Sequence, residues 1–508
     1  MGLYDLTIYD LIRRNARLFA NRPAWFEAES DKTYTFAEYG ALVDKLASGL
    51  QSAGLKKGDR IGVLGQNSLE YFMLYGAAAA LGAIVLPLNW RLSQDEIVFN
   101  LNDCEPKLLF ADSTYQEVIQ NAKNKLSSVN NYYNLIKNDG NFQSFNALTD
   151  NDGTFEAVPV TDDDSFAIVH TAAVAGRPRG AVLSHRNLLC ASMHLNQVFK
   201  LSEKDVHLNL LPMFHVAGLL MFMNAFHAGL LNVNMRKFDA ALAAQLIADK
   251  KVSVLFDFAP IMASIIEQAE KASLPLDSLR AVIGLDAPET IEKYQRLSGG
   301  TFYCMYGQTE TAGFATIGHY NDKPGSAGKI ISWADVKIVD DNDTPLPAGQ
   351  TGEITMQGPM IFKGYWNLEA DTAHTFRNGS HHTGDLGQFD EDGFLWFKGR
   401  KAEKELIKPG GENVYPAEVE NVILQHPAVE KTVVFGVPDP KWKEGIKAVC
   451  QLRPNESLKA QDLIEFVGER IARYKKPQYV EFTDTLPLLE NGVPDRLKVK
   501  KLFGGGES

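Results

Sequence analysis

An α/β protein, with a large N-terminal domain of mainly parallel sheets and a small α+β C-terminal domain, is predicted from three observations. The chain has 508 residues, more than a single hydrophobic core normally serves. Short β-branched runs alternate with helical patterns through the first four hundred positions. After residue 400 the texture changes: Lys401–Lys408 reads KAEKELIK and is followed by Pro409-Gly410-Gly411.

The elements follow in order. Arg60–Leu64, Ala83–Leu88, Lys107–Phe110, Phe166–His170, Val252–Phe256 and Ala281–Gly284 read as buried strands. Leu69–Leu81 and Ala240–Lys250 carry helical patterns between them. Beyond the charged run, helices are predicted over Pro416–Gln425 and Lys459–Tyr474. Strands are predicted over Thr432–Phe435, Lys447–Leu452 and Tyr479–Thr483. The boundary is set at Gly399–Ala402, giving domains 1–400 and 401–508.

Composition excludes several classes. The formal net charge of −12 lacks the basic excess of a general nucleic-acid binder. Cys104, Cys190, Cys304 and Cys450 are too far apart for a C-x-x-C metal or redox motif and read as small buried hydrophobes. Met1–Ala20 mixes Asp and Arg among apolar residues and has no secretory h-region. Met73–Leu88 is short and ends in Pro87-Leu88, so it reads as a core helix running into a strand, not a membrane span. A cytoplasmic protein is expected.

Four segments could carry chemistry. Thr171–Gly180, directly after a strand, is a small-residue loop whose N–H groups could approach a phosphate, with Arg179 adding charge. Alone it reads better as a tight surface turn, and it has no Walker Gly-Lys-Ser/Thr. Tyr306–Thr311 puts an aromatic ring, a glycine, hydroxyls and a carboxylate within six residues. The ring could stack on a base, and Glu310 could hold Mg²⁺; the bland reading is a polar strand-end loop. His382–Gly387 places Asp385 in a Gly-flanked turn suited to ribose hydroxyls or to an Asx-turn. Gly399-Arg400 and Gly410–Pro416 could reach a sugar and let a ligand approach the backbone, or form a charged linker and helix entry.

In order and content the set resembles the adenylate-forming (AMP-binding) superfamily of acyl-CoA synthetases, luciferases and peptide-synthetase adenylation domains. The resemblance spans nearly the whole chain. It includes Gly58-Asp59-Arg60, Pro87-Leu88-Asn89, Pro212–His215, Pro324–Gly328, Gly352-Glu353-Ile354, Gly364-Tyr365-Trp366, Asp392-Gly393-Phe394 and Val437-Pro438-Asp439. Tyr306–Glu310 and Thr383–Glu420 are its most specific stretches.

The resemblance implies an acyl-CoA synthetase that uses ATP, Mg²⁺ and CoA on a small-molecule carboxylic acid. It implies no nucleic-acid partner and no membrane span, and a homodimer is expected from the family. By similarity, Tyr306 stacks on adenine, bordered by Asp286, Ala287 and Pro288, with Gly307 and Gln308 alongside. Thr309 bonds the α-phosphate and Glu310 holds Mg²⁺; Asp385 and Arg400 hold the ribose. Thr171, Gly176, Arg179 and Gly180 form the phosphate loop, and His215 sits at the acyl end. Gly410, Gly411 and Glu412 belong to the pantetheine loop, and the small domain rotates between half-reactions.

Three departures stand against the pattern. The family loop Thr-Ser-Gly-Thr-Thr-Gly-x-Pro-Lys-Gly keeps Thr171, Gly176, Pro178 and Gly180, but Ala172, Ala173, Val174 and Ala175 replace the Ser, Gly and two Thr, and Arg179 the Lys. Lost hydrogen bonds to a charged group cost about 1.5–3 kcal/mol each, while Arg179 keeps a fork suited to phosphate. The terminal Gly-Lys-x-x-Arg is Gly492-Val493-Pro494-Asp495-Arg496, without the Lys. Arg400–Gly410 runs about two residues longer than the family segment, which leaves Lys401 and Ala402 as hinge candidates. Four readings follow: a synthetase slow in adenylation or run in reverse, a non-catalytic acyl-CoA or nucleotide binder, an enzyme of the thioester half-reaction alone, and, ranked last, amino-acid adenylation for a carrier protein. The acid pocket is expected around Phe214, His215, Met305, Phe256–Met262 and Val282–Asp286, with Asp257 and Asp286 either recognising a polar group or capping strand ends.

Overall fold

A computed structural model describes residues 5–136, 141–174, 177–401, 406–489 and 494–504. Ala175, Gly176, Ala402 and Val493 lie outside these residues, as do the side chains of Ala172, Ala173 and Val174. The chain divides into two compact units. Arg91–Phe99, His170–Arg179 and Arg400–Ser508 form one, and the remaining segments form the other.

The larger unit is built on two sheets that are mainly parallel. One runs in the order Lys329–Ile330, Thr316–His319, Thr301–Tyr306, Ala281–Leu285, Val254–Phe258, Val206–Asn209, Leu231–Asn234, Pro23–Glu27, Lys32–Thr35. Its middle strands are parallel and its two ends close with antiparallel pairs. The second sheet is six-stranded, with Arg60–Leu64 parallel to both Ile84–Pro87 and Leu108–Ala111. A third, antiparallel sheet joins Asp335–Val339, Gly352–Gln357, His381–Phe389 and Leu395–Arg400.

Local sequence explains the helices between these strands. Leu69–Leu81 starts where Ser68 Oγ accepts from Tyr71 N (3.1 Å) and ends where Gly82 turns left-handed at φ +64°. Twelve of its thirteen residues are buried, because it is apolar on every face and runs through the core. Among the described residues, no helix is long and apolar enough to cross a membrane. Ala240–Lys250 is capped by Asp239 Oδ1, which accepts from Leu242 N (2.8 Å).

One ion pair ties a loop to the base of the large sheet. Arg280 forks onto Asp205 at 2.7 and 2.9 Å, and Ser253 Oγ donates to the same carboxylate at 2.9 Å. Burial alone would raise the Asp205 pKa, but Arg280 and the Ser202 N–H hold it below the ordinary carboxylate range. A depressed folded-state pKa stabilises above the unfolded value and loses that contribution as pH falls through the folded one. Asp205→Asn should therefore cost about 1–2 kcal/mol at neutral pH, with Asp205 buried but the Arg280 side chain 40% exposed. In urea unfolding the gap to wild type should close as the pH drops below 4.

The smaller unit carries its own three-stranded sheet. Val429–Asp439 pairs antiparallel with Lys443–Leu452, which pairs parallel with Tyr479–Thr483. Val419, Ile423, Val434, Ile446, Leu463 and Val467 fill its core. The two hairpin strands are longer than their β-branched runs predict, since cross-strand pairing carries them through Gly436 and Pro438. The helix predicted to reach Tyr474 stops at Gly468, and a 3₁₀ turn covers Arg473–Lys475. Arg496 is used structurally: it donates to Val434 O (2.6 Å) and pairs with Glu420 (2.6 Å). All four cysteines are buried and free.

Candidate functional site

The strand Thr301–Tyr306 ends in the larger unit with Tyr306 buried, and the chain then turns through Gly307 into a 3₁₀ turn over Thr309–Thr311. Gly307 is required there. A Cβ at this position would fall far inside contact distance of the Gly313 carbonyl oxygen. Gln308 N donates to Thr311 Oγ1 (2.9 Å), which fixes the turn.

The turn meets the strand His381–Phe389. Tyr306 Oη donates to Asp385 Oδ2 at 2.8 Å, and Gln308 Nε2 donates to the same oxygen at 2.5 Å. Gln308 Nε2 also reaches Thr383 O (3.0 Å). Asp385 therefore stands on a bulged strand and not in the isolated turn expected from its flanking glycines. Gly384 takes φ +68°, and the register with Gly352–Gln357 slips between Glu353 and Thr355. Two donors to the Asp385 carboxylate come from the Tyr306–Gln308 segment, far from it along the chain.

Glu353, 2% exposed on its side chain, supports the bulge. It accepts from Gly384 N (3.0 Å) and Arg377 Nη2 (2.9 Å), and it faces His382 Nδ1 at 3.2 Å. Glu310 is also buried, and its Oε1 accepts from Tyr365 Oη at 2.8 Å. Thr309 beside it is half-buried. Glu353 and Tyr365 belong to segments whose motifs are visible in the sequence, but no residue type there announces these partners. Phe397 is a further aromatic group that the pattern did not single out. It is 44% exposed and stacks on Tyr306 with centroids 6.3 Å apart.

The segment that borders Tyr306 by similarity, Asp286-Ala287-Pro288, lies between the strand Ala281–Leu285 and a helix that starts at Pro288. Asp286 Oδ1 accepts from Ala287 N (2.6 Å). Asp257 is fully buried and accepts from Met262 N (3.0 Å) at the start of the next helix. Both carboxylates thus make the capping bonds of strand ends. His215 caps the helix Val216–Ala228, its Nδ1 accepting from Ala217 N (3.2 Å). Its ring stands edge-on to Phe258 (6.4 Å), which continues into Phe256 (4.9 Å) and Phe314. An aromatic wall follows from these contacts.

The Thr171–Gly180 segment is not the open loop predicted. Strands Ser165–Val174 and Arg177–Ser184 run side by side in the six-stranded sheet, so only 175–176 are left between them. Thr171 Oγ1 donates to Arg179 O (3.3 Å), and Arg179 is half-buried. Gly180 O accepts from Trp366 N (2.8 Å), and Ala181 bridges Tyr365.

In the smaller unit Arg400 Nη1 donates to Leu406 O (3.1 Å). Gly410 lies in a 3₁₀ turn over Pro409–Gly411 with φ +59°, packed so that a Cβ would press on the Trp442 ring. Glu412 forms an ion pair with Arg91.

Known proteins resemble this chain over nearly its whole length. Residues 12–366 match the AMP-binding enzyme family, and 418–492 match the AMP-binding enzyme C-terminal domain. An indoleacetate–CoA ligase of Aromatoleum aromaticum is 33% identical over 510 residues, 98% of each chain. A long-chain-fatty-acid–CoA ligase of Mycobacterium tuberculosis is 31% identical over 482 residues, 94% of each. The solved structure of a double mutant of o-succinylbenzoate CoA synthetase from Bacillus subtilis superposes with a TM-score of 0.84 at 28% identity, covering 98% of both chains. With more than half of its length matched by one family description, the chain belongs to the AMP-binding enzymes.

Proposed function

We propose that the protein is an acid–CoA ligase. A carboxylate attacks the α-phosphate of ATP, giving acyl-AMP and pyrophosphate. The CoA thiol then attacks the acyl carbonyl, giving the thioester and AMP. The observation that carries this reading is the buried cluster of Tyr306, Gln308 and Asp385, which combines an aromatic face with a carboxylate held at one oxygen by two donors.

In this reading Tyr306 and Phe397 offer their faces to adenine, with Ala287 along the base edge. Asp385 accepts from the ribose hydroxyls, and Arg400 adds a donor to the sugar. Thr309 donates to the α-phosphate, and Arg179 neutralises the departing pyrophosphate. Glu310 is a hard, buried carboxylate oxygen donor already oriented by Tyr365, which fits Mg²⁺. Bound there, the ion would neutralise charge on the phosphates. Gly410, where a Cβ would press on Trp442, and Gly411 belong to the loop that would pass pantetheine. The unit beginning at Arg400 turns between the two half-reactions. The wall of His215, Phe256, Phe258 and Phe314 favours an acid with an apolar or aromatic body.

Two assays test the reading with a panel of aliphatic and aromatic acids. One follows acid-dependent exchange of pyrophosphate into ATP, and the other follows thioester formation from synthetic acyl-AMP and CoA. Both activities are expected, with exchange the slower because Val493 stands where the family carries Lys. Thioester formation alone would assign only the second half-reaction, and Val493→Lys should then restore exchange. Neither activity would reject the ligase reading.

A further inference from the structure

Asp385 is supported from behind by a group outside the family's motifs. Gln308 commits its Nε2 to Asp385 Oδ2 (2.5 Å) and Thr383 O (3.0 Å). Both partners accept, so the carboxamide can stand only one way round, with Oε1 on the opposite side. There it meets His381 Nε2 at 3.4 Å. An amide oxygen cannot donate, so Nε2 carries the proton in this contact. The other ring nitrogen, Nδ1, faces Thr375 Oγ1 at 3.1 Å; that hydroxyl also meets His382 O at 3.1 Å, and a neutral ring protonated on Nε2 takes the hydroxyl proton at Nδ1. The imidazole is 2% exposed and stands edge-on to Phe362 (5.4 Å) and Phe376 (6.1 Å). His381 and Asp385 lie four residues apart on one strand, and both meet the same glutamine, while His382 between them turns to Glu353.

We infer that His381 is a positioning residue for the nucleotide: its Nε2–H fixes the Gln308 carboxamide, and Gln308 in turn fixes the carboxylate of Asp385. The inference rests on the reading of Asp385 as the ribose acceptor. If the carboxamide turned over, Gln308 would present an oxygen to a carboxylate, and Asp385 would lose both a donor and its preset rotamer. A ligand would then have to order these groups as it binds. His381 reaches no reacting atom, so its effect falls on affinity and not on the chemical step.

The test compares His381→Phe, His381→Gln and Gln308→Leu with wild type, by calorimetric titration with AMP, by KM and kcat for ATP in pyrophosphate exchange, and by thermal unfolding. His381→Phe keeps an aromatic ring against Phe362 and Phe376 but has no donor. It should weaken AMP binding and raise the KM for ATP about tenfold, with kcat within about twofold. His381→Gln, whose amide N–H can stand in for Nε2–H, should recover most of the affinity. The double variant His381→Phe/Gln308→Leu should bind AMP no more weakly than Gln308→Leu alone. Wild-type affinity in His381→Phe, equal losses in His381→Phe and His381→Gln, or losses that add in the double variant would each overturn the inference. Gln308→Leu leaves the histidine in place, so wild-type AMP affinity there overturns it even if His381→Phe does not fold. Wild-type protein that binds neither ATP nor AMP removes the reading of the site and this inference together, whereas binding that ignores both substitutions removes the inference alone.

Discussion

Glu310→Gln should lower the rate of acyl-AMP formation by about 10²–10³, the loss typical of removing one preorganised charge-stabilising group. The substitution is nearly isosteric. Tyr365 Oη can still donate to the amide oxygen, as it does to Glu310 Oε1 at 2.8 Å. The backbone bond from Phe362 N to the carbonyl at position 310 (2.9 Å) is also kept. Thermal unfolding should therefore move little while the negative charge disappears. The effect should appear as a steep rise in the Mg²⁺ concentration needed for pyrophosphate exchange, with a lower ceiling. The thioester step from preformed acyl-AMP needs no triphosphate and should be far less affected. Equal losses in both half-reactions would assign Glu310 to the fold and not to the phosphates.

Asp385→Ala should weaken AMP by about 10²-fold, as two hydrogen bonds to a charged group are lost. This change also costs stability, because Tyr306 Oη and Gln308 Nε2 both lose their shared acceptor in a buried setting. A deficit of about 1–3 kcal/mol in chemical unfolding is expected. Asp385→Asn separates the two contributions. It can keep one acceptor for Tyr306 or Gln308, so stability should return most of the way while affinity does not. If Asp385→Asn binds AMP as wild type does, the carboxylate charge is not what holds the sugar.

Much of this was readable along the chain. Leu69–Leu81 and Ala240–Lys250 are helices over the predicted residues, and Arg60–Leu64 and Tyr479–Thr483 are strands over theirs. These are elements whose local pattern and tertiary surroundings agree. The motif Tyr306–Thr311 was likewise visible, although its residue types alone fit a polar strand-end loop as well, and only its order among the other motifs pointed to the family. Where reading failed, a neighbour from far along the chain decided. Thr171–Gly180 looks like a loop by its small residues, yet its flanks extend as strands paired in a sheet. Asp385 looks like a turn residue, yet a bulge against Gly352–Gln357 holds it in a strand.

The sequence by itself determined the family, the order of the elements and which residues are chemically able to meet a nucleotide. Composition and motif spacing are one-dimensional properties and suffice for that. The tertiary structure alone decided which of those residues touch. Tyr306 and Asp385 are 79 residues apart, Glu310 and Tyr365 are 55 apart, and Gln308 and His381 are 73 apart. Contacts at such separations are set by sheet order and register, and a hydrogen bond depends on the direction of a side chain as well as its identity.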